Sequence, residues 1–215
     1  MKERCSRLAG RLARSPASRW LIPWYARHYG VAMEEAQVPE RGFASLQQFF
    51  SRELRPGLRP IASGRGVLAS PCDGSVGACG TVAEGLLLQA KGRRYRLAAL
   101  LAGEAAASGF EGGLYCTIYL SPRDYHRVHA PVAGAVRQAR YIPGAFSPVH
   151  PRAVASIAGL FAANQRLVTW LETSAGMLAV VMVGACLVGA IRVAYDPGWN
   201  AGPSPHAAAR RRYDP

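Results

Sequence analysis

Met177-Leu178-Ala179-Val180-Val181-Met182-Val183-Gly184-Ala185-Cys186-Leu187-Val188-Gly189-Ala190-Ile191 is the longest apolar run in the chain. Its fifteen residues fall short of what a membrane-spanning helix needs, and Gly184 and Gly189 interrupt it. Its valine content suits a buried strand. No transmembrane segment is therefore expected, and the strands should be sought on either side of this run. Upstream, short apolar runs at 66–69, 75–82, 85–89, 114–120, 132–141 and 167–171 alternate with Gly and Pro turns. Leu97 to Ala107 is the one stretch of this region that reads as a helix. The pattern predicts an α+β fold whose core, 63–215, is a β-rich sandwich or partly open barrel.

Ahead of that core the composition changes. Over residues 1–30, Lys2, Arg4, Arg7, Arg11, Arg14, Arg19 and Arg27 are opposed only by Glu3. The 3-4-3 spacing of Arg4, Arg7, Arg11 and Arg14 stacks them on one face of an N-terminal amphipathic helix. Trp20-Leu21-Ile22-Pro23-Trp24-Tyr25 follows, a dense apolar and aromatic patch. Arginines beside tryptophans suit the boundary between lipid headgroups and acyl chains, so 1–30 reads as a membrane-contacting segment. A solvated basic helix leading into a core-packing segment is the plainer alternative. Residues 31–62 read as a helical connector, with apolar positions at 43, 46, 49 and 50 before Pro56 and Pro60.

The whole chain of 215 residues carries a net charge of +13, which calls for an anionic partner. No aromatic-basic RNA motif or zinc finger appears, so nucleic acid is not the expected one. Lys2 and Lys91 are the only lysines, which argues against a large fold built on a Schiff-base lysine. The five cysteines are odd in number and form no C-x-x-C pair, as for reduced, mostly buried thiols. Pro71-Cys72-Asp73-Gly74-Ser75-Val76 and Pro131-Val132-Ala133-Gly134-Ala135-Val136 share P-x-x-G-x-V. This pair resembles the repeats of lipoyl- and biotin-carrier domains, but Lys91, in Gln-Ala-Lys-Gly-Arg-Arg, does not supply the lysine those need at a hairpin tip. The repeat therefore reads as structural.

The chemically richest segment is Tyr119-Leu120-Ser121-Pro122-Arg123-Asp124-Tyr125-His126-Arg127-Val128-His129-Ala130-Pro131. A strand ends at Ser-Pro and a turn presents Asp, Tyr, two His and two Arg, the kind of loop that carries catalysis on a rigid scaffold. No further Cys or His stands at ligand spacing, so no metal is expected. Asp73, before a glycine, reads as a turn residue unless it orients a histidine, in which case a triad lacks only its nucleophile.

In order along the chain, Phe49-Phe50-Ser51-Arg52-Glu53-Leu54-Arg55-Pro56-Gly57-Leu58-Arg59-Pro60-Ile61, Ser70-Pro71-Cys72-Asp73-Gly74, Tyr119 to Pro131, Tyr141-Ile142-Pro143-Gly144, Leu160 to Arg166 and Val183 to Gly189 resemble the phosphatidylserine decarboxylase family. The Y-H-R-V-H-x-P block, Tyr125 to Pro131, is the most specific of these matches. The resemblance implies a pyruvoyl-dependent enzyme that makes phosphatidylethanolamine and carbon dioxide. Asp73 and His129 would activate a serine that cuts the chain before itself and becomes the pyruvoyl group. That group does the work of a pyridoxal cofactor and condenses with the substrate amine. His126 would protonate the carbanion left by carbon dioxide. The implied partners are phosphatidylserine, an anionic phospholipid membrane and an α subunit carrying the pyruvoyl group. The implied location is peripheral, on the cytoplasmic face of the cell membrane.

Two departures qualify the resemblance. The family's L-G-S-T serine motif does not occur within the 215 residues, and no Gly-Ser pair follows residue 74. Ser174 and Ser204 both lack the preceding glycine. The chain is therefore expected to be a truncated form or an incomplete β subunit, inactive by itself. The alternative is a non-catalytic basic module that binds anionic lipid. The second departure is Leu-Phe-Ala-Ala-Asn-Gln-Arg, where the family usually has Arg and Glu at the positions of Ala163 and Gln165.

Overall fold

A computed structural model describes residues 2–90, 92–201 and 209–213. The Arg4 and Arg7 side chains, Lys91 and Ser204 lie outside the described residues. The chain forms two compact units, one of residues 3–75 with 118–132, the other of 76–117 with 133–215.

The first unit opens with helix α1 (Lys2–Arg14), a 3₁₀ turn (Pro16–Leu21) and helix α2 (Ile22–Tyr29). Gly30, at φ +69°, terminates α2 in the left-handed conformation that glycine adopts without strain. Helix α3 (Leu46–Phe50) is capped by Ser45, whose hydroxyl accepts the Gln48 N–H at 3.2 Å while Gln48 Oε1 accepts the Ala44 N–H at 2.6 Å. Phe49 is fully buried and gathers Ile22, Ala26, Val31, Ala36 and Phe43 around it. The helical reading of 43–50 thus comes from one buried ring and a good cap.

The second unit holds the strands. β1 (Ser75–Thr81) pairs with β4 (Leu114–Tyr119), and β2 (Leu86–Ala90) pairs antiparallel with β3 (Arg93–Arg96). Between β3 and β4 in sequence lie the short helices α4 (Leu97–Leu101) and α5 (Glu104–Ser108). β5 (Gly134–Ile142) is followed by helices α6 (Pro151–Ser156) and α7 (Leu160–Ala163), then by β6 (Arg166–Thr173) and β7 (Gly176–Val183). Two short strands, β8 (Ile191–Arg192) and β9 (Asn200–Ala201), pair with each other. β10 (Ala209–Arg212) joins the edge of the largest sheet, which runs β10-β5-β6-β7 with every pair antiparallel. β6 is its spine: Val168 and Trp170 pack into a cluster with Leu87, Tyr95, Leu97 and Leu101, while Leu167 joins Ala139, Tyr141, Val193 and Trp199 in a second cluster. Alternation along one strand fills both clusters.

The α+β class and the N-terminal helices agree with the sequence reading, and the antiparallel sheets do not close into a barrel. No helix among the described residues is long and apolar enough to cross a membrane. The long apolar run is strand as far as Val183 and again only at its last residue, Ile191, where β8 begins. After Val183 it turns at Gly184, because buried Asn164 and Gln165 take the Gly184 and Gly189 carbonyls through amide N–H donors at 2.9 and 2.7 Å. The expected helix over 97–107 is two helices, broken at Ala102 (φ +57°). Its terminal carbonyls are captured from the sheet: Arg166 takes Leu100 O and Ala99 O, and Arg140 takes Ala102 O. Residues 66–69 form no strand.

Candidate functional site

The site lies wholly in the first unit, where the 70–74 turn meets the loop at 118–132. Gly74 makes the approach possible. Its φ is +127°, and a Cβ there would stand 2.4 Å from the Tyr119 carbonyl oxygen. Two backbone bonds hold the loop to the turn: the Ala69 N–H donates to Pro131 O at 2.9 Å and the His129 N–H to Pro71 O at 2.7 Å. Asp73 and His129 are thereby carried to the same corner.

The loop is shaped by Ser121-Pro122-Arg123-Asp124. Asp124 accepts the Ser121 N–H on Oδ2 at 2.6 Å and donates its own N–H to Ser121 O at 3.0 Å, a turn in which proline supplies the first central residue. Arg52 pins it from below. Its Nη2 donates to the carbonyls of Arg123 and Asp124 at 2.9 and 3.3 Å, and its guanidinium carbon lies 5.1 Å from the Phe49 ring centroid. Arg52 is buried, with Nε and Nη1 lacking hydrogen-bond partners, and burial pushes its pKa down from the ordinary arginine value. Tyr25 adds a third anchor through an O–H donated to Pro122 O at 3.0 Å.

The Asp73 carboxylate is held by Arg59 through two parallel bonds, Nε to Oδ1 at 2.9 Å and Nη2 to Oδ2 at 2.8 Å. The Tyr125 backbone N–H also donates to it. Arg59 is itself shared with Glu35, through Nη2 at 2.7 Å. The Arg59 hydrogen bonds hold the Asp73 carboxyl below the usual carboxylate range, so it is ionised at neutral pH. Glu35, Arg52, Arg59, Asp73 and Tyr125 line an open cavity of about 240 Å³.

The two histidines have different surroundings. His126 Nδ1 lies 2.9 Å from the Asp124 carbonyl oxygen, and its ring centroid is 3.9 Å from that of Phe50. A carbonyl can only accept, so Nδ1 carries the hydrogen and Nε2 is left as the lone-pair nitrogen of the neutral ring. Burial pushes the His126 pKa below its ordinary value, which favours that neutral ring. His129 is exposed. Its Nε2 lies 3.2 Å from the Tyr125 hydroxyl, and the two rings stack at 5.7 Å with 21° between planes.

Asp73 and His129 thus meet through Tyr125, which bonds one with its backbone and the other with its side chain. No hydrogen bond among the described residues joins them directly. His126 faces Phe50 instead. Sequence reasoning gave no role to Arg52, Arg59 or Tyr125, although all three stand in the segments that carried the resemblance. Arginines that bond backbone carbonyls leave no spacing signal. Among the described residues no three His, Cys, Asp or Glu side chains gather as a metal site requires.

The family model described as phosphatidylserine decarboxylase matches residues 46–202. A phosphatidylserine decarboxylase proenzyme of Anaeromyxobacter sp. (strain K) is 50% identical over 87% of this chain and 66% of its own length. That of Myxococcus xanthus is 49% identical over 80% of this chain and 61% of its own length. That of Pseudomonas aeruginosa is 44% identical over 81% and 61%. The chain therefore spans a little under two thirds of the length of these curated relatives.

Proposed function

The chain belongs to the phosphatidylserine decarboxylase family, and on that premise we propose that it supplies the larger part of an enzyme releasing carbon dioxide from phosphatidylserine to give phosphatidylethanolamine. The observation that carries this reading is the Asp73–Tyr125–His129 corner. It joins an ionised carboxylate to an exposed imidazole through one residue, in the segments that match the family. On this reading His129 takes the proton from a serine hydroxyl and Asp73 stabilises the charge that His129 gains. The serine belongs to an L-G-S-T motif outside these 215 residues, on a partner α subunit after processing. The pyruvoyl group made from it supplies the electron sink for decarboxylation.

The residues present suit that group. A proton carrier is needed beside the reacting carbon, and His126 offers a half-buried, neutral ring whose Nε2 has no hydrogen bond among the described residues. The experiment starts from residues 1–215 alone. With no Gly-Ser pair after residue 74, they are expected to keep an intact mass of 23.0 kDa and release no carbon dioxide from phosphatidylserine. The same frame carried through the serine motif is expected to split into two subunits and to decarboxylate. A long-form protein that stays whole and inert would end the proposal.

The reading extends to a peripheral position on the cytoplasmic face of the membrane. Trp20 and Trp24 are 74% and 59% exposed, and Leu8, Leu12 and Leu21 are exposed with them, beside Arg11, Arg14, Arg19 and Arg27. Exposed indole rings flanked by arginines support docking on anionic lipid. Ile22 and Ala26 of the same segment are core residues, so substitution tests the idea better than deletion. A Trp20→Glu/Trp24→Glu variant is expected to lose flotation with phosphatidylglycerol vesicles. Wild-type binding should weaken as salt rises, since each basic residue near the surface contributes about 1 kcal/mol before screening. Flotation indifferent to both changes would remove the membrane surface from this segment.

A further inference from the structure

We infer that Tyr125 is a positioning residue for His129: its hydroxyl donates to Nε2 and fixes the imidazole as the Nδ1–H tautomer, with Nε2 as the nitrogen that meets the nucleophile. This rests on the proposed role of His129 and goes beyond it, because it assigns a proton and a residue that the triad scheme leaves open.

The geometry allows two arrangements across the 3.2 Å contact, with the hydrogen on the phenol or on Nε2. An imidazole nitrogen lone pair is a far better acceptor than a phenol oxygen, and a phenol is the better donor. The Tyr125 hydroxyl also stays protonated, since burial raises its pKa above the ordinary tyrosine value. The proton therefore sits on oxygen, aimed at Nε2, and the neutral ring keeps its hydrogen on Nδ1. That tautomer is what a Ser-His-Asp relay requires, with Nδ1–H for the carboxylate and the Nε2 lone pair for the serine.

Position supports the assignment as well as chemistry. The stack between the two rings limits rotation of His129. The Tyr125 backbone N–H fixes the Asp73 carboxylate at the same time. One residue thus registers both proposed members of the relay. Its hydroxyl occupies the place at Nε2 that the serine hydroxyl takes over, so one O–H donor replaces another and the tautomer is kept.

The test uses residues 1–215 with ¹⁵N-labelled histidine, at a pH where His129 is neutral. Long-range ¹H–¹⁵N spectra are expected to show a pyridine-type Nε2 and a protonated Nδ1 in His129, the reverse of a free imidazole's preference in water. Tyr125→Phe, which keeps the ring and its backbone N–H, is expected to return His129 to the Nε2–H form. A wild-type Nε2–H signal overturns the inference without recourse to any variant, as does a tautomer unmoved by Tyr125→Phe. In the frame carried through the serine motif, Tyr125→Phe is expected still to cleave, since the serine hydroxyl replaces the Tyr125 hydroxyl at Nε2 in any case. His129→Ala separates the two claims. If it still cleaves, the relay reading fails and the tautomer result stands by itself. If it is blocked, the relay reading stands and the tautomer spectra alone decide the role of Tyr125.

Discussion

His129→Ala and Asp73→Ala are expected to leave an uncut proenzyme, while His126→Ala cuts itself and then decarboxylates about 10²- to 10⁴-fold more slowly. The measurement needs the reading frame carried through the serine motif, a denaturing gel for cleavage and an assay of carbon dioxide release. The difference between the histidines follows from their surroundings. His129 is exposed, and its one ring bond among the described residues is to a hydroxyl that another hydroxyl can replace. His126 is half-buried against Phe50, its Nδ1–H spent on a backbone carbonyl, and its lowered pKa keeps it neutral at physiological pH. Such a ring does not reach out to activate a serine but can hold or return one proton at Nε2. If both histidines only packed, either variant would unfold the first unit or change nothing. If His126→Ala stayed uncut while His129→Ala cut normally, the two roles would be exchanged.

Arg166→Ala is expected to destabilise the second unit by about 3 kcal/mol. Arg166 is 3% exposed and donates to four backbone carbonyls, of Ala99, Leu100, Ala162 and Asn164, at 2.6 to 2.9 Å. It closes the C-terminal ends of both α4 and α7, taking end carbonyls that have no partner within the helices. Burial pushes its guanidinium down to about 10, still cationic at neutral pH. Removing it strands buried carbonyls at about 1–3 kcal/mol each, offset in part by no longer burying a charge. For a chain of this size, about 3 kcal/mol corresponds to a Tm lower by roughly 6–12 °C. Arg166→Lys is expected to recover little, because an ammonium cannot fork to carbonyls on two helices. A melting point within 2 °C of wild type for Arg166→Ala would refute this account.

The sequence by itself determined the class of fold and the place of the chemistry. Strand patterns over 75–82, 85–89, 114–120, 132–141 and 167–171 were legible because alternation and turn residues are local properties, and each has a strand in the structure. Y-H-R-V-H was legible because its residue types are dense in one loop. Tertiary structure decided what depends on side chains reaching across the chain. The 97–107 segment is broken where Arg166 and Arg140 take its carbonyls, and the 177–191 run turns where Asn164 and Gln165 compete for its backbone. Arg210 to Arg212 form an edge strand because β5 offers them backbone partners. Residues 118–132 join 3–75 and not their own neighbours in sequence. Only that long-range association brings Arg59, 14 residues before Asp73, and Tyr125, far beyond it, onto one carboxylate. No local periodicity encodes such a meeting: a hydrogen bond between distant segments depends on where the backbone carries both ends, and that is settled when the whole unit packs.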